Sequence, residues 1–451
     1  MVQSIIGAIA PRKRDTAVAA YYADNIARWD DIYHGGGDWR YTRKGGINGG
    51  TRRVAAMNAA KAVCAELSRL CFSEGTQISG ADKIAERFVR SVLDSNGFSQ
   101  RFPDFLEKMF ALGGGVIKAY WDGERVRLDF VTADCFLPTA WDGNGISGGV
   151  FASRVTEGGR SYILAETQEM TSEGLVTENR LFKSDGGRAE LSELYPSLKA
   201  RSVITGLDKP LFVYFRAAGG LIPQCPPLGA SVFAGAEDTL KGLDVVFDSL
   251  NREFILGRKR IIVPYYAVRG EYDENGDIRH YFDVNDEVFQ ALSPSDNDEL
   301  RITDNTATLR VEEHTQAISA LLDMLCMQVG LSEGALAYKD GTIKTAAEVV
   351  SRNSRTYRTR SFYRRLICES MAQVAQNICA LGRMSGQLGA GDGGSMTLRY
   401  ADGVSEDEGT RTDRAIRLYS AGLISKARAL SQIYGISLEE AKQTERMDSD
   451  E

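Results

Sequence analysis

AEDTLKGLDVVFDSLNREFILGR, residues 236–258, contains no proline, and Gly242 is its sole glycine before Gly257. Leu240, Leu243, Phe247, Leu250 and Phe254 recur at the three-four spacing of a heptad seam, while Asp238, Lys241, Asp244, Asp248 and Arg252 charge the other side. The stretch predicts a helix about 35 Å long at 1.5 Å per residue, with Gly257 as its stop. A basic run, Arg258-Lys259-Arg260, and a short strand, Ile261–Val263, follow. A second stretch, VEEHTQAISALLDMLCMQV (311–329), repeats the pattern with Val311, Ile318, Leu322, Leu325 and Val329. Between them, from Pro264 to Leu309, the chain is polar, acidic and rich in turns. Tyr265, Tyr266 and Val268, then Ile278, Tyr281 and Val284, fit short strands around the turn Asp273–Gly276. The simplest arrangement is an αα-hairpin carrying a small tip domain. Two apolar seams on one hairpin leave surface uncovered, so they are expected to pack against neighbouring copies.

Upstream of the hairpin the pattern is α+β. Tyr22, Ile26, Trp29 and Tyr33 predict a helix over 16–34 ended by Gly35-Gly36-Gly37. A second helix is expected at about 53–72, with Val54, Met57, Val63, Leu67, Leu70 and Cys71 on its apolar side. A third, about 81–110, is interrupted near Asn96-Gly97. Val116–Trp121 and Val126–Val131 read as strands joined at Asp122-Gly123, with further strands near 149–155, 161–167 and 177–183. Downstream, the loop Leu331–Ile343 precedes the longest helix, Lys344–Leu381. A glycine-rich linker (382–395), a strand at Met396–Tyr400, an acidic loop and helices at roughly 410–421 and 425–433 complete the chain.

Composition narrows the function classes. The 451 residues are 43% hydrophobic and 25% charged, as in a soluble globular protein, and no run of about 18 apolar residues suits a membrane span. No signal peptide is evident, which predicts a cytosolic product whose seven cysteines are thiols. Three histidines give a zinc site little to draw on. The net charge of −7 argues against a tight nucleic-acid binder. It does not argue against a conduit, which must not grip its cargo because phosphate contacts slow sliding.

Gly113-Gly114-Gly115-Val116-Ile117-Lys118 lacks the Gly-Lys-Ser/Thr ending of a phosphate loop and precedes a strand, so it reads as a structural turn and any ATPase must be a partner. Asp402, Glu406, Asp407 and Glu408 have the residue types of a divalent-cation site, yet a solvated acidic loop is the plainer reading. No catalytic set stands out, and neither cofactor nor metal is expected. Arg352, Arg355, Arg358, Arg360, Arg364 and Arg365 are the densest positive charge. They read either as a solvated or subunit-pairing surface or as contacts for passing phosphates.

Ile26-Ala27-Arg28-Trp29-Asp30-Asp31-Ile32-Tyr33 with Gly35 and Trp39, then Asn58-Ala59-Ala60-Lys61 through Glu66 to Phe72-Ser73-Glu74, open a series of ordered stretches that resembles the portal proteins of tailed bacteriophages with long non-contractile tails. Ala111-Leu112-Gly113-Gly114 and Ala133-Asp134-Cys135-Phe136-Leu137-Pro138-Thr139 are similar again. More specific are Gly229-Ala230-Ser231-Val232-Phe233-Ala234 leading into the heptad helix and Arg260-Ile261-Ile262-Val263-Pro264 closing it. Gly330-Leu331-Ser332, Lys344–Ser354 and Thr356–Thr359 resemble the family's hallmark stretch.

The resemblance implies a portal-type fold with wing 1–234, first stem helix 235–263, clip 264–309, second stem helix 310–330, tunnel loop 331–343, a long wing helix 344–382 and a wing or short crown region 383–451. It implies a ring of about twelve copies at one capsid vertex, assembled in the host cytoplasm, through which double-stranded DNA is packaged and ejected. The terminase large subunit and then a head–tail adaptor are expected at the clip, through residues such as Tyr272, Asp273, Tyr281 and Phe282. Scaffold and major capsid protein are expected at the wing. Lys339, Asp340 and Lys344 are the expected DNA-facing residues, and Leu240, Leu243, Phe247, Leu250, Phe254, Ile318, Leu322 and Leu325 the expected packing between stems. The competing readings are a head–tail adaptor ring and a metal-dependent nuclease built on the acidic loop.

Overall fold

A computed structural model describes residues 16–43, 50–72, 77–80, 82–142, 145–217, 228–257, 261–262, 269–272, 278–281, 303–304, 308–336, 353–389, 391, 396–399, 408–434 and 441. Helix α1 (Thr16–Tyr33) leads to strands β1 (Tyr41–Arg43) and β2 (Thr51–Arg53), helix α2 (Ala59–Cys71), strand β3 (Gln77–Gly80) and helices α3 (Lys83–Ser95) and α4 (Phe98–Leu112). Strands β4 (Gly114–Trp121), β5 (Val126–Thr132), β6 (Phe136–Asp142), β7 (Gly145–Glu157), β8 (Arg160–Thr171), β9 (Gly174–Lys183), β10 (Arg188–Ala189), β11 (Arg201–Ile204) and β12 (Phe212–Arg216) follow. The hairpin consists of α5 (Glu237–Leu256), the short strands β13 (Ile261–Ile262), β14 (Arg269–Tyr272), β15 (Ile278–Tyr281) and β16 (Thr303–Asp304), and α6 (Val311–Val329). Helix α7 (Ser354–Met384), strand β17 (Met396–Arg399) and helices α8 (Glu408–Ser420) and α9 (Lys426–Tyr434) complete the α+β fold.

Two antiparallel sheets organise the wing: β12-β4-β5, and β10-β9-β8-β7-β6 with β11 also on β9. Phe102, Phe105 and Phe215 form an aromatic cluster between α4 and the smaller sheet, with Phe105 edge-on to Phe215 at 5.4 Å. A small core of Val116, Phe136, Phe151 and Phe212 joins the two sheets. Beside it the buried Lys118 ammonium reaches Glu166 at 2.6 Å and Asp129 at 3.6 Å.

The break expected at Asn96-Gly97 is real and has a cause. Gly97 takes φ +65°, which ends α3 at low steric cost. The Asn96 amide donates to Val92 O at 2.7 Å and Val126 O at 3.0 Å, and its oxygen accepts from Leu128 N, tying the break to β5. The helix expected from 53 instead begins at Ala59, after Asn58 in the left-handed region. Of the glycines at 113–115 expected to form a structural turn, Gly113 does so at φ +84°, while Gly114 and Gly115 already belong to β4. A Cβ on Gly229, which backs onto them, would collide with the Gly113 and Ala217 carbonyls, so the wing closes only on a bare backbone there.

Strand β17 matches its predicted position, and its partner β3 was missed, as were β6, β11 and β12. Each missed segment is short or lacks clean alternation, and the partners of β3 and β12 are distant in sequence. The thiols read from composition are free at all six described positions: Cys64, Cys71, Cys135, Cys326, Cys368 and Cys379.

Candidate functional site

The two seam helices meet as the hairpin expected from their pattern. Across the pair, Ser249 Oγ lies 3.0 Å from His314 Nε2, and Gly242 faces Leu321. The Arg310 guanidinium donates twice to the Glu253 carboxylate at 3.2 Å. These bonds hold the Glu253 carboxyl below its ordinary range. At the tip, β14 pairs with β15 (Tyr272 opposite Ile278, Arg269 opposite Tyr281), and β13 pairs with β16. Tyr265, Tyr266 and Val268, expected in a strand, lie outside the described residues; the described strand before the turn is Arg269–Tyr272, and Ile261–Ile262 pairs with Thr303–Asp304.

The seam requires a correction. Leu240, Leu243, Leu322 and Leu325 have exposures of 3%, 0%, 4% and 0% and pack into the chain's own core, so they are not contacts between copies. Their ends of α5 and α6 rise from the wing, which covers them. Phe247, Leu250 and Ile318 are half-buried and Phe254 is 50% exposed, so uncovered apolar surface grows toward the tip.

Asp244 and Asp248 differ from expectation in the opposite sense. They read as part of a charged, solvated side, yet both are buried and fasten α5 to the segment before α2. Asp244 accepts from Trp39 Nε1 at 2.9 Å and Met57 N at 2.8 Å. Asp248 accepts both Nη atoms of Arg52 at 2.8 Å and Ala55 N at 2.9 Å. Spaced four apart, the two carboxylates share one helix face and take the amides that a longer α2 would have used. The Arg52 bonds hold the Asp248 carboxyl below its usual range, against burial. No sequence signal marked these residues, because an amphipathic helix carries acids on its outer side anyway.

A second anchor lies where α6 ends. Gly330, at φ +80°, caps the helix, and Thr359 Oγ1 donates to its carbonyl at 2.6 Å. Ser332 N donates to Thr356 Oγ1 at 2.8 Å, and Thr356 N donates to Ser332 Oγ at 3.1 Å, both residues being buried. Gly334 N donates to Asp323 at 3.0 Å. The two ends of the chain between Leu336 and Asn353 are therefore clamped together. Leu331–Leu336, expected as the start of a movable loop, is instead a docked turn. Lys339, Asp340, Lys344 and Arg352 lie outside the described residues, as do Asp273 and Phe282 at the tip and Asp402, Glu406 and Asp407 in the acidic loop.

The arginines of α7 divide by face. Arg355, Arg358 and Arg365 are exposed. Arg360 and Arg364 are 8% exposed each and sit beside buried Cys71, so neither the solvated nor the DNA-contact reading holds for them. Burial pushes the Cys71 thiol up to about 12, with Arg364 and Arg360 opposing it. Tyr363, edge-on to Phe110 at 4.9 Å, continues the buried face through Ile367, Met371 and Val374. Among the described residues no group of histidine, cysteine and acidic side chains is placed to hold a metal ion, and no helix is long and apolar enough to cross a membrane.

An α+β wing, a projecting helix hairpin with a β tip, and a clamped loop at the hairpin's foot define a subunit of the portal class. The chain belongs to the family described as phage portal protein, SPP1 Gp6-like, which matches residues 18–178 and 222–451. Membership carries a portal-channel role, a ring oligomer within a capsid assembly and a location at the portal of a virion. No curated protein matches the chain. Among solved structures, similar chains come from the virion of a native gene transfer agent particle and from the neck of an empty gene transfer agent particle computed with C6 symmetry. Each is 12% identical with a TM-score of 0.47, covering 84% of this chain and 89% of the other.

Proposed function

We propose that the chain is one of about twelve subunits lining a passage for double-stranded DNA, with the remainder of the tunnel loop read at 331–343, residues 337–343, facing the DNA. The observation that carries this reading is the buried Ser332–Thr356 clamp at the foot of the hairpin. The clamp brings together the two chain ends that flank residues 337–352, so the chain leaves and returns at one place at the foot of the hairpin. Lys339 and Lys344 supply the phosphate contacts and Asp340 weakens them, which suits a passage that must guide DNA without retaining it.

The tip strands, with Tyr272, Asp273, Tyr281 and Phe282, form the clip that receives the terminase large subunit during packaging and the head–tail adaptor afterwards. Scaffold and major capsid protein meet the wing. Arg355, Arg358 and Arg365, on the outer face of α7, serve contacts with DNA or with the next subunit. The chain itself performs no catalysis in this scheme, and the motor is a partner.

The test uses Lys339→Glu with Lys344→Glu in a packaging assay with purified components. The expected result is intact rings, a normal number of filled heads at low load, and a marked loss of packaged length at full load. Unchanged packaging at every load removes the loop lysines from the passage. For α7, Arg358→Glu that leaves rings intact but lowers packaging assigns the exposed arginines to DNA, and loss of rings assigns them to the subunit contact.

A further inference from the structure

A groove of about 810 Å³ runs between β2 with the segment that follows it and the outer half of α5. Arg40, Arg52, Arg53 and Arg252 line it with His34, against a single carboxylate, Asp248, that Arg52 already engages. Arg53 and Arg252 are exposed and have no carboxylate within ion-pair distance among the described residues. At the tip end the lining turns apolar, with Ile255 and Leu256 58% and 53% exposed. The groove is thus basic along its length and greasy at its outer end.

The matching surface is on the other flank of the hairpin. Ser249 and Glu253 face α6, so Asp248, Asn251 and Ile255 lie on the far side of α5. On α6, Arg310, His314 and Leu321 face α5, Glu312 and Met327 lie on its far side, and Glu313 and Met324 lie on the adjoining flank. Val311, Glu312 and Glu313 are exposed. Their height along the hairpin is fixed by the Glu253–Arg310 and Ser249–His314 contacts, which set them level with residues 248–256. Rotation about a ring axis preserves height, and a ring contact joins unlike flanks of successive copies.

We propose that this groove is the socket for the first turn of α6 from the neighbouring copy, with Glu312 and Glu313 set against Arg53 and Arg252, and Val311 against Ile255 and Leu256. The proposal rests on the ring reading and gives it a specific contact. Because Asp248 lines the groove, the fastening of α5 to the wing and the joining of copies share one structure. Ion pairs at a rim favour correct pairing more than strength, so the socket sets which height of one stem meets the next.

The test is a charge swap in the full-length chain, read by mass photometry and negative-stain microscopy. Glu312→Arg with Glu313→Arg, and separately Arg53→Glu with Arg252→Glu, change exposed side chains and should leave the melting of the monomer unaltered. Each pair should raise the concentration for half-assembly by at least roughly tenfold, since like charges then oppose at two positions. Mixing the two variants restores opposite charges at every contact of a ring in which they alternate, and the chain carrying all four substitutions restores them without a partner variant. Recovery of rings in either case supports the socket. Normal assembly of either parent variant, or failure of both the mixture and the four-substitution chain, overturns it. Failure of the unaltered chain to form rings at any concentration overturns the ring reading itself, a result distinguishable from the others.

Discussion

Asp248→Ala should loosen the junction between stem and wing without unfolding either. The substitution removes two hydrogen bonds from Arg52 and one from Ala55 N. A hydrogen bond to a charged, buried partner contributes about 1.5–3 kcal/mol net. The Arg52 side chain is 29% exposed, which brings its share down toward the roughly 0–1 kcal/mol of a surface pair. Ala55 N then loses its acceptor in a half-buried site and carries the larger part, for a total of about 2–4 kcal/mol. That energy acts locally, because the hydrophobic ends of α5 and α6 keep their place in the core. Hydrogen exchange read at single residues is the suitable assay. The Ala55 amide should exchange roughly 30-fold to 700-fold faster, at a tenfold change per 1.4 kcal/mol. The Met57 amide, bonded to Asp244, should follow less strongly, and amides of α4 should not change. Asp248→Asn keeps an acceptor and should fall in between. Unchanged exchange at Ala55 in the alanine variant would show that the carboxylate does not hold the junction.

Acid should act at the same place. The folded-state value of Asp248 lies below its ordinary one, so its stabilisation is complete above about pH 4. It is lost as pH falls from there through the folded-state value, and Ala55 exchange corrected for intrinsic rate should quicken over that window and not between pH 5 and 7. Phe105→Ala, which empties a site among Phe102, Phe130 and Phe215, should cost about 3–5 kcal/mol in denaturant unfolding. A loss under about 1 kcal/mol would mean that the aromatic cluster is not the centre of the wing. Cys71 is held near 12 by burial, so a thiol reagent at pH 8 should leave it untouched until the chain unfolds, as judged by mass spectrometry of labelled peptides. Gly229→Ala should abolish soluble expression or lower the melting temperature sharply, since its Cβ would meet two carbonyls. A well-folded alanine variant would disprove the need for bare backbone there.

The amino-acid sequence by itself determined the features that depend on periodicity and turn chemistry. Val311–Val329 is a helix because its apolar residues keep a near-heptad spacing, and Gly330 stops it because glycine accepts positive φ. The hairpin with its β tip followed from two such helices around a polar excursion, and the break at Asn96-Gly97 was visible as a helix stop. Tertiary structure decided how each apolar or charged side is used. Leu243 and Phe247 follow the same spacing, yet one lies in the wing core and the other nearer solvent, because burial depends on what the fold places beside each turn. Asp244 and Asp248 look like any solvated acids, and only the arrival of Trp39, Arg52, Ala55 and Met57, about 190–205 positions away along the chain, turns them into anchors. Arg360 and Arg364 likewise share a composition with Arg358 and Arg365 but face the interior, since α7 must bury one side against the wing. A pattern in sequence specifies which side of an element differs from the other; long-range packing assigns that side its partner.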